Sequence, residues 1–328
     1  MHKLQEKAYS KRFLFIGAGL LIAAIGTYLL YQAHAANLVA SFQVEAGTRS
    51  GNASVVSDSG ASGGSAVKFA ASTGTGRVYP IHTNIVSTMF WVGEAFQDTA
   101  DGSQVCSAYD SEWQYSFFHM NTGTNNTQGC NGAPLGGCDA KLTNAGGKCS
   151  SPNATASLRT PANNYTPPAG SPTIYENPFY LDLPYDDYNS SGGGETTGYS
   201  RRCTDIPWAN DPGYAGKCTN RSFSYMKNRW VKMWVGSKVC YGQIEDAGPA
   251  DSGNGNGNYA DYPYVFGTND ARPYNQSYGG AGADVSPALG SCLGMAFDDS
   301  ITLSWQFVDD VDVPAGPWKT LVTTSPPN

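Results

Sequence analysis

The chain has 328 residues, 20 Lys/Arg against 27 Asp/Glu, a net charge of −7 and only 14% charged residues. The first 35 residues hold four of the basic and one of the acidic residues, so the remainder carries 16 against 26, a net −10. That balance excludes nucleic acid as the expected partner, because such affinity rests on phosphate neutralisation by Lys and Arg.

Lys3, Lys7, Lys11 and Arg12 precede an uncharged run of 19 residues from Phe13 to Tyr31. Crossing a hydrocarbon core takes ~20 residues, and basic residues ahead of the run keep the N-terminus inside while the rest is translocated. Ala33-His34-Ala35 is an A-x-A site of the kind a signal peptidase cuts. Residues 1–35 are thus expected to be a signal peptide or a single transmembrane anchor, and membrane contact is expected only through residues 13–31 if they are retained. Both outcomes place the remainder outside the cytoplasm. All eight cysteines lie downstream, none in C-x-x-C spacing, and only His82 and His119 accompany them. Zinc sites want such spacing and His partners, so the cysteines read as disulfides, up to four, in an oxidising compartment. Cys138–Cys149 and Cys203–Cys218 are the expected local pairs. No metal or cofactor is expected.

Residues 36–78 hold a Gly/Ser-rich stretch between short apolar runs. Phe42-Gln43-Val44-Glu45-Ala46-Gly47-Thr48 and Ser62-Gly63-Gly64-Ser65-Ala66-Val67-Lys68-Phe69 resemble the opening of carbohydrate-binding modules of families 6 and 35, although ~40 residues are too few for a sandwich of roughly 100. A strand pair or spacer is expected there. Residues 84–96 read as a buried strand. From 97 to 171 the pattern gives way to Gly, Asn, Thr, Ser and Pro with four cysteines, an insertion ordered by disulfides and short elements. A strand is expected at 178–184. Residues 228–235 and 238–244 form a hairpin about Gly236-Ser237, followed by a Gly/Asn loop at 253–258. Ser286 and Pro287 are the N-cap and first position of a short helix stopped by Gly294. The last strand, 300–308, alternates with Ile301, Leu303, Trp305 and Phe307 inward. The fold class is mainly β, with a small closed or nearly closed sheet over about 79–320.

Asp246-Ala247-Gly248-Pro249, then Asp284-Val285-Ser286-Pro287-Ala288 and Leu293-Gly294, resemble in order and spacing the double-psi β-barrels of rare lipoprotein A and the expansins. Phe90-Trp91-Val92-Gly93 is similar to the first barrel strand of that family, and Leu183-Pro184 to its second-strand Leu-Pro. The resemblance implies a double-psi β-barrel with a cysteine-rich insertion that binds peptidoglycan or another polysaccharide. Some members of that group cleave glycan strands, expansins loosen walls without clear hydrolysis, and family 45 glycoside hydrolases use paired aspartates on the same barrel. Carried over, Asp246 and Asp284 match the two aspartates flanking the groove. Tyr180 stands where catalytic members have a histidine, and Pro172 falls near their further upstream aspartate. The implied function is a glycan-cleaving enzyme of lytic-transglycosylase or glycosidase type. The alternatives are a non-catalytic, expansin-like binding protein and a structural or adhesion protein of the surface.

The two aspartates carry different expectations. Asp284 precedes a helix N-terminus, which favours the ionised form, as a base, an electrostatic group or a structural acceptor. Asp246, read as lying beside Tyr241 and Trp230, becomes a candidate general acid if an apolar groove raises its pKa. Trp91, Glu94, Tyr180, Asp182, Tyr185, Trp208 and Tyr241 are the candidate substrate-binding residues. Trp208, in a polar loop, is the expected exposed stacking platform, and Trp305 is expected in the core. Asp309, Asp310 and Asp312 read as a solvated strand end.

Overall fold

The computed structural model describes residues 53–61, 63–69, 77–94, 104–119, 123–125, 133–135, 138–140, 159–166, 171–188, 198–249, 262–267, 273 and 279–328. The chain divides into two compact units, Met1–Ala70 and Ala71–Asn328. The candidate export segment and the motif at 42–48 lie outside the described residues. Among the described residues no helix is long and apolar enough to cross a membrane.

In the first unit, strands β1 (Ala53–Ser57) and β2 (Ser65–Phe69) pair antiparallel, with Val55 opposite Val67. The Asp58 amide bonds the Gly64 carbonyl at 3.0 Å, and the Asp58 carboxylate accepts from the Gly60 amide at 2.8 Å. An Asx-type turn thus closes the hairpin.

The second unit is built on six strands: β3 (His82–Met89), β6 (Tyr180–Leu183), β7 (Trp230–Val235), β8 (Lys238–Ala247), β9 (Ala281–Val285) and β10 (Ile301–Phe307). They close into a barrel in the order β10-β3-β9-β6-β8-β7. The β3–β9 and β6–β8 pairs are parallel and the others antiparallel. The ring of pairings therefore reads the same in either direction from the β6–β9 pair. A short strand pair, β4 (Gly123–Asn125) with β5 (Ala133–Leu135), stands apart within the insertion.

Local chemistry accounts for the barrel elements. Gly236, at φ 57°, makes the tight turn between β7 and β8. Leu303, Trp305 and Phe307 of β10 are buried on one face, and Thr302 opposite is exposed. Trp305 stacks on His82 at 3.9 Å and donates from Nε1 to the Tyr264 hydroxyl at 2.8 Å, which in turn donates to the Gly282 carbonyl at 2.9 Å. The helix Pro287–Leu293 is capped as its sequence demands: Ser286 Oγ accepts from the Leu289 amide, and Gly294 ends it at φ 89°. Cys240–Cys292 fastens that helix to β8, and Cys203–Cys218 closes a loop beyond the helix Gly198–Asp205. Among the described residues no cysteine is free, and Cys106 and Cys138 are disulfide-bonded. Cys149, the expected partner of Cys138, lies outside the described residues.

The structure corrects several elements. The first barrel strand ends at Met89 instead of running to residue 96, because the chain turns at Trp91–Glu94, with Gly93 at φ 80° and the Glu94 amide on the Trp91 carbonyl at 2.9 Å. Asp284, expected just before the capped helix, stands there and is part of strand β9. The helices Gly198–Asp205 and Tyr262–Val265 have no counterpart in the sequence reading. Asp309 is no merely solvated strand end either, since it accepts from Arg229 at 2.6 Å and from the Tyr79 hydroxyl at 2.8 Å.

The described parts of the insertion pack on the outside of the barrel. The helix Trp113–Phe118 sets Trp113, Phe117 and Phe118 against Phe90, Val92 and Tyr180 in a second apolar cluster. The Asp139 amide bonds the Val92 carbonyl at 3.0 Å, and Arg159 pairs with Asp139 at 2.6 Å in a buried ion pair.

Candidate functional site

Three aspartates meet on adjacent strands. Leu181 and Leu183 of β6 enter the barrel core, so Asp182 between them projects to the outer face. Its register partners are Asp284 on antiparallel β9 and Asp246 on parallel β8. The second match depends on a bulge: Leu181 pairs with Ile244 but Asp182 with Asp246, leaving Glu245 as the extra residue. Without it Asp246 would sit one position out of line. Adjacent strands lie ~4.8 Å apart, so Asp246 and Asp284 flank Asp182 about one strand away on either side.

Their hydrogen bonds differ. Asp182 Oδ1 accepts from the Asp284 amide at 2.8 Å. Asp246 Oδ1 accepts from the amides of Ala108 and Ala247, both at 2.7 Å, and Oδ2 accepts from Gln104 Nε2 at 2.5 Å. Two of these three donors come from the insertion. Asp284 takes a hydrogen bond from the Thr88 backbone, while its Oδ1 is buried without a hydrogen-bond partner among the described residues. None of the three carboxyls joins an ion pair among the described residues.

Uncompensated burial sets their protonation. It pushes Asp246 up from 3.8 to about 7, against the pull of the amides of Ala108 and Ala247. It likewise pushes Asp284 to about 7, with the Asp246 charge adding to the effect. Asp182 is raised well above the carboxylate range, first by burial and then by both neighbouring aspartates. Near neutral pH the trio therefore holds protons on some members and charge on others, the condition for acid and base to work side by side.

This corrects the expected surroundings of the two aspartates. Asp284 is not held ionised by the helix N-terminus, because Ser286 is the N-cap and burial dominates. Asp246 is raised, but its neighbours are Gln104 and Ala108. Tyr241 lies five residues down β8 and half-buried against Trp318 at 5.1 Å. Trp230 faces the Lys319 ammonium at 4.7 Å.

Most of the other candidates are buried. Trp208, expected as an exposed platform, is fully buried: Nε1 donates to the Tyr225 carbonyl at 2.9 Å and the Arg229 guanidinium covers the ring at 4.3 Å. Trp91 is buried against Phe297, and its amide lies 3.4 Å from Oε2 of buried Glu94. Tyr180 is locked in the second apolar cluster, its hydroxyl accepting from the Val92 amide at 3.0 Å. Tyr185 is buried, donating to Asp205 Oδ2 at 3.1 Å. All four rings are buried. Asp182, by contrast, sits at the centre of the site. Gln104 and Ala108 were missed because nothing local in a Gly/Asn/Ser-rich insertion ties them to a strand 138 or more residues away.

No protein-family model, curated protein or solved structure matches this chain.

Proposed function

We propose that the protein is an exported double-psi β-barrel that binds a cell-wall or other polysaccharide and cleaves its glycosidic bonds by acid–base catalysis. The observation that carries this reading is the alignment of Asp246, Asp182 and Asp284 on three neighbouring strands, with no ion pair to neutralise them among the described residues. The direction-independent ring of pairings, with its two parallel pairs, supports the double-psi form. The Cys203–Cys218 and Cys240–Cys292 disulfides support an oxidising destination.

In this scheme a protonated Asp246 gives its proton to the leaving glycosidic oxygen. Asp284, through an Oδ1 that has no hydrogen-bond partner among the described residues, takes the proton of the attacking hydroxyl, from water or from the sugar itself. Asp182 is a positioning residue that stays protonated between them and holds the Asp284 backbone. One observation favours a second, non-catalytic reading. Both Asp246 oxygens are engaged by the insertion and its own strand, as befits a strut beneath a binding surface.

The test is to incubate the purified protein with peptidoglycan and with a panel of neutral polysaccharides, following bound protein and soluble fragments by mass spectrometry. Fragment release that disappears in Asp246→Asn and Asp284→Asn supports catalysis. Binding without release supports the second reading. No binding and no release on any glycan overturns both and leaves a structural or adhesive surface protein.

A further inference from the structure

Among the described residues of the barrel unit three tyrosines are exposed, Tyr175, Tyr262 and Tyr115, and two of them, Tyr175 and Tyr115, are linked through His119. Tyr175 is 48% exposed, Tyr115 is 37% exposed, and His119 beside them is also exposed. These three form one stack. His119 lies on Tyr175 at 3.6 Å and 15° between planes, and Tyr115 lies on His119 at 5.8 Å and 30°.

The backbone presets this arrangement. Tyr115 and His119 are four residues apart, so they share a helix face. His119 ends the helix Trp113–Phe118 in the left-handed region, at φ 49°, with its amide on the Tyr115 carbonyl. Tyr175 arrives on a different segment, pinned by its amide to the Phe117 carbonyl at 2.9 Å. On its inner side the same helix buries Trp113 and Phe117 against Tyr180, two residues before Asp182. The stack thus rides on an element anchored beside the strand that carries the central aspartate.

We propose that Tyr115, His119 and Tyr175 form a stacking platform whose two outer ring faces, those of Tyr115 and Tyr175, each take a pyranose ring of a neutral glycan. The proposal rests on the glycan reading above and adds a second binding site to it. In a three-ring stack the inner faces are used by neighbours, and the end rings, Tyr115 and Tyr175, each keep an outer face. The rim offers two phenol hydroxyls and an imidazole, a mixture of flat apolar surface and hydrogen-bonding groups that suits the apolar face and equatorial hydroxyls of a sugar. Charge selects a neutral chain. The helix WQYSFF and the residues 171–175 carry no charged side chain, and the protein as a whole is acidic, which disfavours a polyanion.

The experiment is calorimetric titration of the full protein with chitohexaose, cellohexaose and laminarihexaose, beside pull-down on insoluble peptidoglycan. Tyr175→Ala and Tyr115→Ala are expected to weaken binding of the preferred probe about tenfold. Tyr175→Trp retains it. These side chains are exposed, so the variants should unfold at the wild-type temperature, and a variant that does not is replaced by Tyr175→Ser. Unchanged affinity in both alanine variants, while the wild type still binds, overturns the platform and leaves the carboxyl site standing. No binding of any glycan by the wild type sinks the glycan reading itself. A shift from dimer to monomer in Tyr175→Ala, seen by ultracentrifugation, would show that a second copy covers the stack and would also overturn the proposal.

Discussion

The Asp284 amide donates to Asp182 Oδ1 at 2.8 Å across the antiparallel β6–β9 pair, so two carboxyl-bearing residues face each other directly. Like charges opposite one another destabilise a sheet. With Asp246 on the other side of Asp182, the barrel tolerates this arrangement only by keeping protons that ordinary aspartates would release.

Stability should therefore depend on pH in a particular direction. Folded Asp246 and Asp284 titrate at about 7 against an ordinary 3.8, so the folded state binds more protons than the unfolded chain between those values. Their contribution is fully present below about pH 4, declines as pH rises to about 7, and is constant above that. Urea midpoints at pH 4, 5, 6, 7 and 8 should show this decline in the wild type and a shallower one in Asp182→Asn, which removes one of the competing carboxyls. Parallel profiles for the two proteins would mean that the trio is not coupled.

Removing the acid or the base should affect turnover far more than binding. Asp246→Asn keeps an oxygen for the Ala108 and Ala247 amides and loses the transferable proton, together with the acceptor for Gln104 Nε2. Fragment release should fall by about 10²–10⁴-fold, with glycan affinity nearly unchanged. Because the carboxyls interact, both limbs of the wild-type pH–rate profile belong to the cluster and not to single residues. Both should move in Asp182→Asn. A profile identical to wild type would remove Asp182 from the site.

Cys240–Cys292 spans 52 residues and ties β8 to the helix that follows β9, bracketing the strands that bear Asp246 and Asp284. Closing a loop of that length constrains the unfolded chain by about 4 kcal/mol in the chain-entropy model. Cys240→Ser/Cys292→Ser should lower the denaturation midpoint accordingly and make it insensitive to reductant at this bridge. A double variant as stable as the wild type would show that packing of Leu289 and Leu293 already holds the helix.

What the sequence reveals of this site follows from how local each cause is. The Gly236-Ser237 turn, the Ser286–Pro287–Gly294 cap, the alternation of β10 and the Cys203–Cys218 loop all involve neighbours in sequence, and each is legible there. β9 is not, because its Ala-Gly-Ala run lacks the β-branched and aromatic residues that announce a strand. The structure supplies the reason: a Cβ at Gly282 would meet the Tyr264 hydroxyl at 2.5 Å. Trp208 reads as exposed because its loop is polar, yet Arg229, Tyr79 and Phe307 converge on it from other parts of the chain. The importance of Asp182 emerges only when register sets it between Asp246 and Asp284. The Tyr175–His119 contact likewise joins residues that no periodicity connects.

Arg202 offers a last check, on the region beside the trio. Its guanidinium is buried and gives every one of its donors to main-chain carbonyls: Nε to Cys218, Nη1 to Asp187 and Phe223, and Nη2 to Lys217 and Asn220, at 2.6 to 3.2 Å. It lies 4.4 Å from the Tyr199 ring and 4.0 Å from the Asp187 carboxylate. That carboxylate accepts from the Ser224 hydroxyl and the Tyr225 amide. One side chain thus organises the segment from 217 to 225, which no regular strand or helix supports. Lysine would keep the charge but offers three donors from one point, so at least two carbonyls would lose their partner. At about 1 kcal/mol for each bond lost, Arg202→Lys should cost about 2 kcal/mol or more in urea unfolding. Limited proteolysis should then cut first between residues 217 and 225, with the barrel fragment intact. An Arg202→Lys protein as stable and as protease-resistant as the wild type would show that the Cys203–Cys218 bridge alone holds this loop.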